Sequence, residues 1–465
     1  MVTTPAVVIA APSSGSGKTT VATGLVGALR QSGHRVAPFK VGPDFIDPGY
    51  HGLAAGRLGR NLDAVLVPEE RIAPLYRHGC AGADISVIEG VMGLFDGRID
   101  PHRVAPAPGS TAHVAGLLRA PVLLVIDAGG HSQSIAALLH GFSTFDTNTR
   151  IAGVILNRVG SPRHEQVLRQ ACELVGMPVL GAIPRADALS VPSRHLGLVT
   201  AVEHGRQAWE AVEAMTTLVA RHVDIAAVAA LAAATVPDAP WDPVAAVGGP
   251  VDSHPLVAIA AGRAFSFSYA EHNELLRAAG ADVVEFDPMS EPLPEGTSAL
   301  VLPGGFPEQY PGELSANTQV RQQIRELAQY APIYAECAGL TYLVSDLDGN
   351  PMCGVLAGSA RFTRRLTLGY RDAVALTDSP LYTAGQRVVG HEFHRTTVDF
   401  DTHYPPAWAF DVQGTTVRDG AIQHQVHAAY LHTHPAGQPE SVRRFVARAA
   451  ETTRPSTDFL MGMEI

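Results

Sequence analysis

Apolar positions in the first part of the chain fall into short unbroken runs separated by longer stretches of helical spacing. Runs of this kind occupy residues 7–10, 36–41, 84–90, 122–127, 151–158 and 178–185. Near-continuous apolar runs, as opposed to alternating ones, suit strands buried on both faces of a sheet. The intervening segments carry the period of a helix; after the first run, Val21, Leu25, Val26 and Leu29 recur on one face. The pattern predicts an α/β architecture with a doubly wound parallel sheet.

The pattern degrades between about Val223 and Pro255. An Ala-rich stretch at 225–234 gives way to prolines at 237, 240 and 243 and then Gly248-Gly249-Pro250. Such breaker density marks a domain boundary. A second strand series follows at 256–260, 282–286 and 299–302, and residues 332–340 read as strand, tight turn and helix start. The expected organisation is a first domain over 1–235, a linker over 236–255, a second domain over 256–450 and a solvated tail over 451–465.

Composition adds limits. At 465 residues the chain is too long for one core. Its net charge of −11 disfavours nucleic acid as the main partner, because phosphate backbones need a basic footprint. No apolar run is long enough to span a bilayer, and the first residues lack the basic segment of a signal peptide. The cysteines, Cys80, Cys172, Cys337 and Cys353, form no C-x-x-C pair, which argues against a zinc site and a disulfide framework. A cytoplasmic protein with no membrane partner is expected.

Three stretches carry candidate chemistry in the first domain. Ser14-Gly15-Ser16-Gly17-Lys18-Thr19-Thr20 sits between a strand and a helix. Backbone N–H groups of such a loop can cradle the phosphates of ATP; Lys18 would reach the terminal phosphates and Thr19 would ligate Mg²⁺. Pro12 stands where the usual G-x-x-x-x-G-K-[ST] motif has its first Gly. Asp44 and Asp47 lie in a breaker-rich loop after the second strand, Asp44 expected to ligate Mg²⁺ and Asp47 to meet the substrate, with the capping of a turn as the plainer alternative. Glu89 ends an apolar strand, where a metal-binding carboxylate belongs, and Asp96 follows in a Gly-flanked loop. Asn157, at another strand end, suits either base recognition or a helix cap.

In the second domain Cys337 lies on the tight turn, where a helix N-terminus would lower its pKa. Gly304-Gly305 could turn amides toward a developing oxyanion. His432 and His434, far downstream, are both candidates for the base that activates Cys337.

These marks resemble the cobyrinate / hydrogenobyrinate a,c-diamide synthases of cobalamin biosynthesis over nearly the whole chain. The specific stretches are 14–20, Lys40-Val41-Gly42-Pro43-Asp44-Phe45-Ile46-Asp47-Pro48, Glu89-Gly90-Val91-Met92-Gly93-Leu94-Phe95-Asp96, Pro303-Gly304-Gly305, Glu336-Cys337-Ala338-Gly339-Leu340 and Gly390-His391-Glu392-Phe393-His394. The resemblance implies a dethiobiotin-synthetase-like P-loop domain followed by a class I, flavodoxin-like glutamine amidotransferase domain. It implies ATP and Mg²⁺ as cofactors, and glutamine and a corrinoid tetrapyrrole polycarboxylate as substrates. The a and c acetates would be activated as acyl phosphates and amidated by ammonia that Cys337 releases from glutamine and an internal passage delivers. Ala338 stands where the family commonly has Gly, and His434-Pro435-Ala436 lacks the Glu of ordinary triad amidotransferases, which implies a Cys–His dyad. Another tetrapyrrole acid (cobyric acid or a nickel-sirohydrochlorin), or a non-enzymatic P-loop regulatory ATPase, is the alternative. Cobalt content of the corrinoid and oligomeric state, a homodimer included, stay open.

Overall fold

The computed structural model describes residues 3–99, 106–185, 193–194, 197–198 and 200–452. Most of the expected tail, 453–465, lies outside the described residues. The chain divides into two compact units, Met1–Trp241 and Asp242–Ile465.

The first unit is built on a seven-stranded parallel sheet. Its strands are β1 (Ala6–Ala10), β2 (Val36–Val41), β3 (Arg60–Leu62), β4 (Ile85–Glu89), β5 (Val122–Asp127), β6 (Ile151–Val159) and β7 (Val179–Pro184), in spatial order β3-β2-β4-β1-β5-β6-β7. Every residue of β1, β2 and β4 is buried, so the unbroken apolar runs report a sheet covered on both faces. β3 was not expected: its Arg-Asn-Leu sequence is short and polar, and it joins the sheet as an edge beside β2. Two helices matter for the site. Helix α1 (Lys18–Gln31) opens directly from the loop after β1, and α2 (Asp47–Ala55) from the loop after β2. The strand order reverses beside β1, so these loops and the one after β4 gather at the carboxyl ends of β1, β2 and β4, where such sheets bind ligands.

The second unit holds a six-stranded sheet. Its strands are β8 (Leu256–Ala260), β9 (Asp282–Phe286), β10 (Thr297–Leu302), β11 (Ile333–Glu336), β12 (Ala421–Gln423) and β13 (Val426–Ala429), in order β9-β8-β10-β11-β13-β12. All pairs are parallel except the last. A short helix, α3 (Ala338–Leu343), follows β11. Residues 243–247, within the segment read as linker, form a helical turn of this unit.

A second sheet in this unit was not visible in the hydrophobic pattern. Its centre is a long antiparallel pair, Gly358–Ala375 with Arg387–Phe400. The second strand buries Glu392, His394 and Thr396 on one face, beside Val388 and Gly390, and His391 on the other, so much of what it buries is polar and hydropathy does not betray it. The two-residue strand His432–Thr433 pairs with this edge, His391 opposite His432, which brings the late histidines back to the end of β11.

Candidate functional site

In the first unit, Ser14 and Gly15 are exposed at the tip of the loop, whereas Ser16 and Lys18 are buried. Gly17 has φ +95°, and a Cβ there would run into Asn157 Nδ2, so this position requires glycine. Asn157 reaches from the end of β6 and donates to the Ser16 carbonyl at 2.9 Å, bracing the loop. Lys18 Nζ donates to Met92 O at 2.6 Å and Ser13 O at 3.3 Å. Burial, with Lys40 nearby, lowers its pKa. Thr20 lies in the first turn of α1, half-buried.

Thr19 begins a buried polar network. Its Oγ1 donates to Glu89 Oε1 at 2.7 Å and lies 3.3 Å from Asp47 Oδ2. Lys40 Nζ is 2.6 Å from Asp47 Oδ2, 2.9 Å from Glu89 Oε1 and 4.0 Å from Asp44 Oδ2. His51 Nε2 lies 2.7 Å from Glu89 Oε2. Burial raises the Glu89 pKa, but Lys40 and His51 outweigh it and hold the carboxylate down at about 2. Burial and Asp44 push Asp47 up to about 7 despite Lys40. Glu89 is therefore the fixed charge and Asp47 the softer one. Asp44 Oδ1 accepts from the Ile46 and Asp47 amides at 2.7 and 3.0 Å, so this oxygen caps the start of α2, and it is Asp47, not the expected Asp44, that reaches Thr19. Asp96 is exposed, accepts from Gly93 N at 2.9 Å and faces Lys18 electrostatically. Sequence reasoning assigned no role to Lys40 or His51. A lysine inside an apolar strand was the available signal, since an unpaired one is not buried.

In the second unit, Cys337 sits between β11 and α3 at φ 49°, ψ −97°, a strained left-handed elbow for a non-glycine residue. Its own amide donates to Ala429 O at 2.8 Å. The expected lowering of its pKa is corrected: burial and Glu308 push the thiol up, and the Ala338 and Gly305 amides offset this only in part. A one-and-a-half-turn helix has too small a dipole to win against full burial. Gly304 packs so closely on His432 that a Cβ would strike its Cε1. The Gly304-Gly305 pair thus adjoins both the thiol and His432.

The two histidines part company. His432 is fully buried, stacks on His391 with ring centroids 5.0 Å apart, and has Nδ1 3.7 Å from Glu336 Oε2. His434 packs on Tyr269 at 4.2 Å, accepts from Ala436 N at 3.2 Å through Nδ1, and lies 4.0 Å from Glu271. Burial pushes its pKa down to about 4.

Residues 7–199 match the model of the CobQ/CobB/MinD/ParA nucleotide binding domain, and residues 256–439 that of the CobB/CobQ-like glutamine amidotransferase domain. The hydrogenobyrinate a,c-diamide synthase of Mycobacterium tuberculosis is 71% identical over 450 residues, covering 96% of this chain and 98% of that protein. The chain belongs to the hydrogenobyrinate / cobyrinate a,c-diamide synthase family. The Streptomyces coelicolor hydrogenobyrinate a,c-diamide synthase is 54% identical (96% and 97% covered). The Gloeobacter violaceus cobyrinate a,c-diamide synthase is 42% identical (95% and 96% covered). As a member of this family the protein is a glutamine-dependent, amide-forming ligase with a nucleotide-binding P-loop domain, which sets aside the regulatory ATPase. Among the described residues no helix is long and apolar enough to cross a membrane.

Proposed function

We propose that this protein amidates the a and c acetate carboxylates of hydrogenobyrinate in cobalamin biosynthesis, with ATP as activator and glutamine as nitrogen donor. The observation that carries the choice of acceptor is the 71% likeness, over nearly both full lengths, to a relative named for that substrate; the relatives at 54% and 49% carry the same name.

A carboxylate is a poor acyl donor because oxide is a poor leaving group. Phosphorylation by ATP converts it to an acyl phosphate, from which phosphate departs when ammonia attacks. The work of the first unit is then positioning and charge neutralisation. Lys18, whose Nζ donates across the loop to Met92 O, would meet the terminal phosphates. Thr19, Glu89 and Asp47 are the residues that would hold Mg²⁺, since a hydroxyl and one or two carboxylates are the oxygen donors this hard cation takes beside phosphates. When bound, it would neutralise phosphate charge. Lys40 Nζ, within 2.9 Å of both carboxylates, holds them together and offsets their charge. Asp44, 4.0 Å from Lys40, and Asp96, near Lys18, are left to meet the acceptor.

In the second unit, Cys337 attacks the glutamine amide, with His432 as its base. His432 is favoured over His434 because it shares Gly304 and Glu336 with the thiol's surroundings. Ammonia leaves and water clears the glutamyl thioester.

The test is amide formation from metal-free hydrogenobyrinate and cobalt cobyrinate side by side, with Cys337→Ala as control. The reading expects two amidations of the metal-free acid. In the variant they are lost with glutamine and kept with ammonium. No amidation of either acid would sink it.

A further inference from the structure

We propose that Glu336, the residue immediately before the nucleophile, is the third member of the glutamine-hydrolysing site: a positioning residue that orients His432 and balances its charge. This rests on the reading of Cys337 and His432 as the hydrolytic pair.

The chain lacks a glutamate after His434-Pro435, yet a buried carboxylate faces His432 from elsewhere. Glu336 is the last residue of β11, and the left-handed turn at Cys337 lets two adjacent residues serve one site. One oxygen of Glu336 is pinned. Oε1 accepts from the Thr433 amide at 2.9 Å, lies 3.3 Å from Thr433 Oγ1, and accepts from the Tyr334 hydroxyl. Tyr334 and Tyr382 in turn meet Thr433 Oγ1 at 2.9 and 3.3 Å. This scaffold aims the other oxygen, Oε2, at His432 Nδ1, 3.7 Å away. Burial would raise the Glu336 pKa, but His432, Tyr334 and the Thr433 amide outweigh it and keep the group ionised.

The chemistry follows from that pairing. A carboxylate facing Nδ1 at ion-pair distance favours the proton on that nitrogen and a lone pair on Nε2. The Cys337 thiol, pushed up by burial, needs a base. Its proton moves from Sγ to Nε2 as Sγ bonds to the amide carbon, and the imidazolium formed lies against Glu336. When the tetrahedral centre collapses, the C–N bond breaks and the same proton leaves with ammonia. Water then hydrolyses the thioester to glutamate and free thiol. His391, stacked on the other side of the ring, offers no negative charge to replace Glu336. His434 is turned instead to Glu271, 4.0 Å away, and to the ring of Tyr269.

The experiment measures glutamate release and ammonia-dependent amidation by the full chain for wild type, Glu336→Gln, Tyr334→Phe and Cys337→Ala. Gln keeps the shape and an acceptor for the Thr433 amide but removes the charge. The proposal expects kcat for glutamate release to fall about 10²-fold or more in Glu336→Gln. KM for glutamine should stay within about threefold, and ammonia-dependent rate and thermal midpoint should match wild type. Tyr334→Phe, which keeps the charge, should lose less than about tenfold. A fall of less than about tenfold in Glu336→Gln overturns the proposal. So does a loss shared by ammonia-dependent synthesis and thermal midpoint, which marks a structural role. Glutamate release undiminished in Cys337→Ala would instead overturn the underlying reading.

Discussion

Lys40 and Glu89 are paired across the parallel strands β2 and β4, and Lys40 Nζ lies 2.9 Å from Glu89 Oε1 with both side chains almost wholly buried. Burial alone would depress the lysine pKa; Asp47 and Glu89 overcome it and raise it. Lys40→Met should therefore leave two carboxylates beside each other with only His51 and the more distant Lys18 to balance them. Loss of one partner of a buried pair costs about 3–5 kcal/mol. Asp47, already pushed up to about 7, relieves part of this by taking a proton, so the loss should be larger at pH 8 than at pH 6. Denaturant unfolding of wild type and variant at the two pH values measures it. A loss under about 1 kcal/mol at pH 8 would contradict the network as described.

Gly304→Ala places a methyl group against His432 Cε1. The imidazole is hemmed in by His391 and Phe267, so it cannot retreat without leaving its alignment. A misplacement of about 1 Å costs on the order of 10²-fold. Glutamine-dependent amidation should fall by about that factor, whereas ammonia-dependent amidation, which bypasses the second unit's chemistry, should hold. Equal loss of both would show that the glycine serves folding alone.

The two late histidines should separate cleanly. His432→Ala is expected to reduce glutamate release by about 10²–10⁴-fold, the range for removal of a general base. His434→Asn, whose side-chain oxygen can still accept from the Ala436 amide, should retain activity within about tenfold. Steady-state glutaminase assays of the two variants decide; the reverse order would assign the base to His434.

Much of the first unit was legible because its chemistry follows its hydrophobic pattern: unbroken apolar strands ending in Glu89 and Asn157, and a glycine-rich loop opening α1. Lys40 carried no role in the sequence because its meaning depends on Glu89 and Asp47, and strand pairing is not written locally. The antiparallel sheet of the second unit was illegible for a related reason. Its buried positions carry Glu392, His394 and Thr396 on one face and His391 on the other, with Arg371 2.6 Å from Glu392. Periodicity in hydropathy cannot report a face that is buried but polar. The Cys337 pKa was misjudged because the sequence showed the helix start but not the depth of burial.

His427 offers a pH test of that polar interior. It is buried among the rings of Tyr334, Tyr382 and Trp408, with centroids 5.3–5.8 Å away, and burial pushes its pKa down to about 4. Its unfolded value is about 6.5. A depressed histidine must be neutral to stay folded, so its contribution is fully present above pH 6.5 and is lost as pH falls through 6.5 toward 4. His434 acts in the same direction, while Asp419, raised to about 6 by burial, acts oppositely between about 4 and 6. Both cancel when wild type is compared with His427→Phe. At about 1.4 kcal/mol per pKa unit, the stability difference between the two proteins should shift by roughly 3 kcal/mol in favour of the variant between pH 7.5 and pH 4. Denaturant midpoints across that range give the measurement, and parallel curves would mean that His427 stays neutral in both states or is solvated when folded.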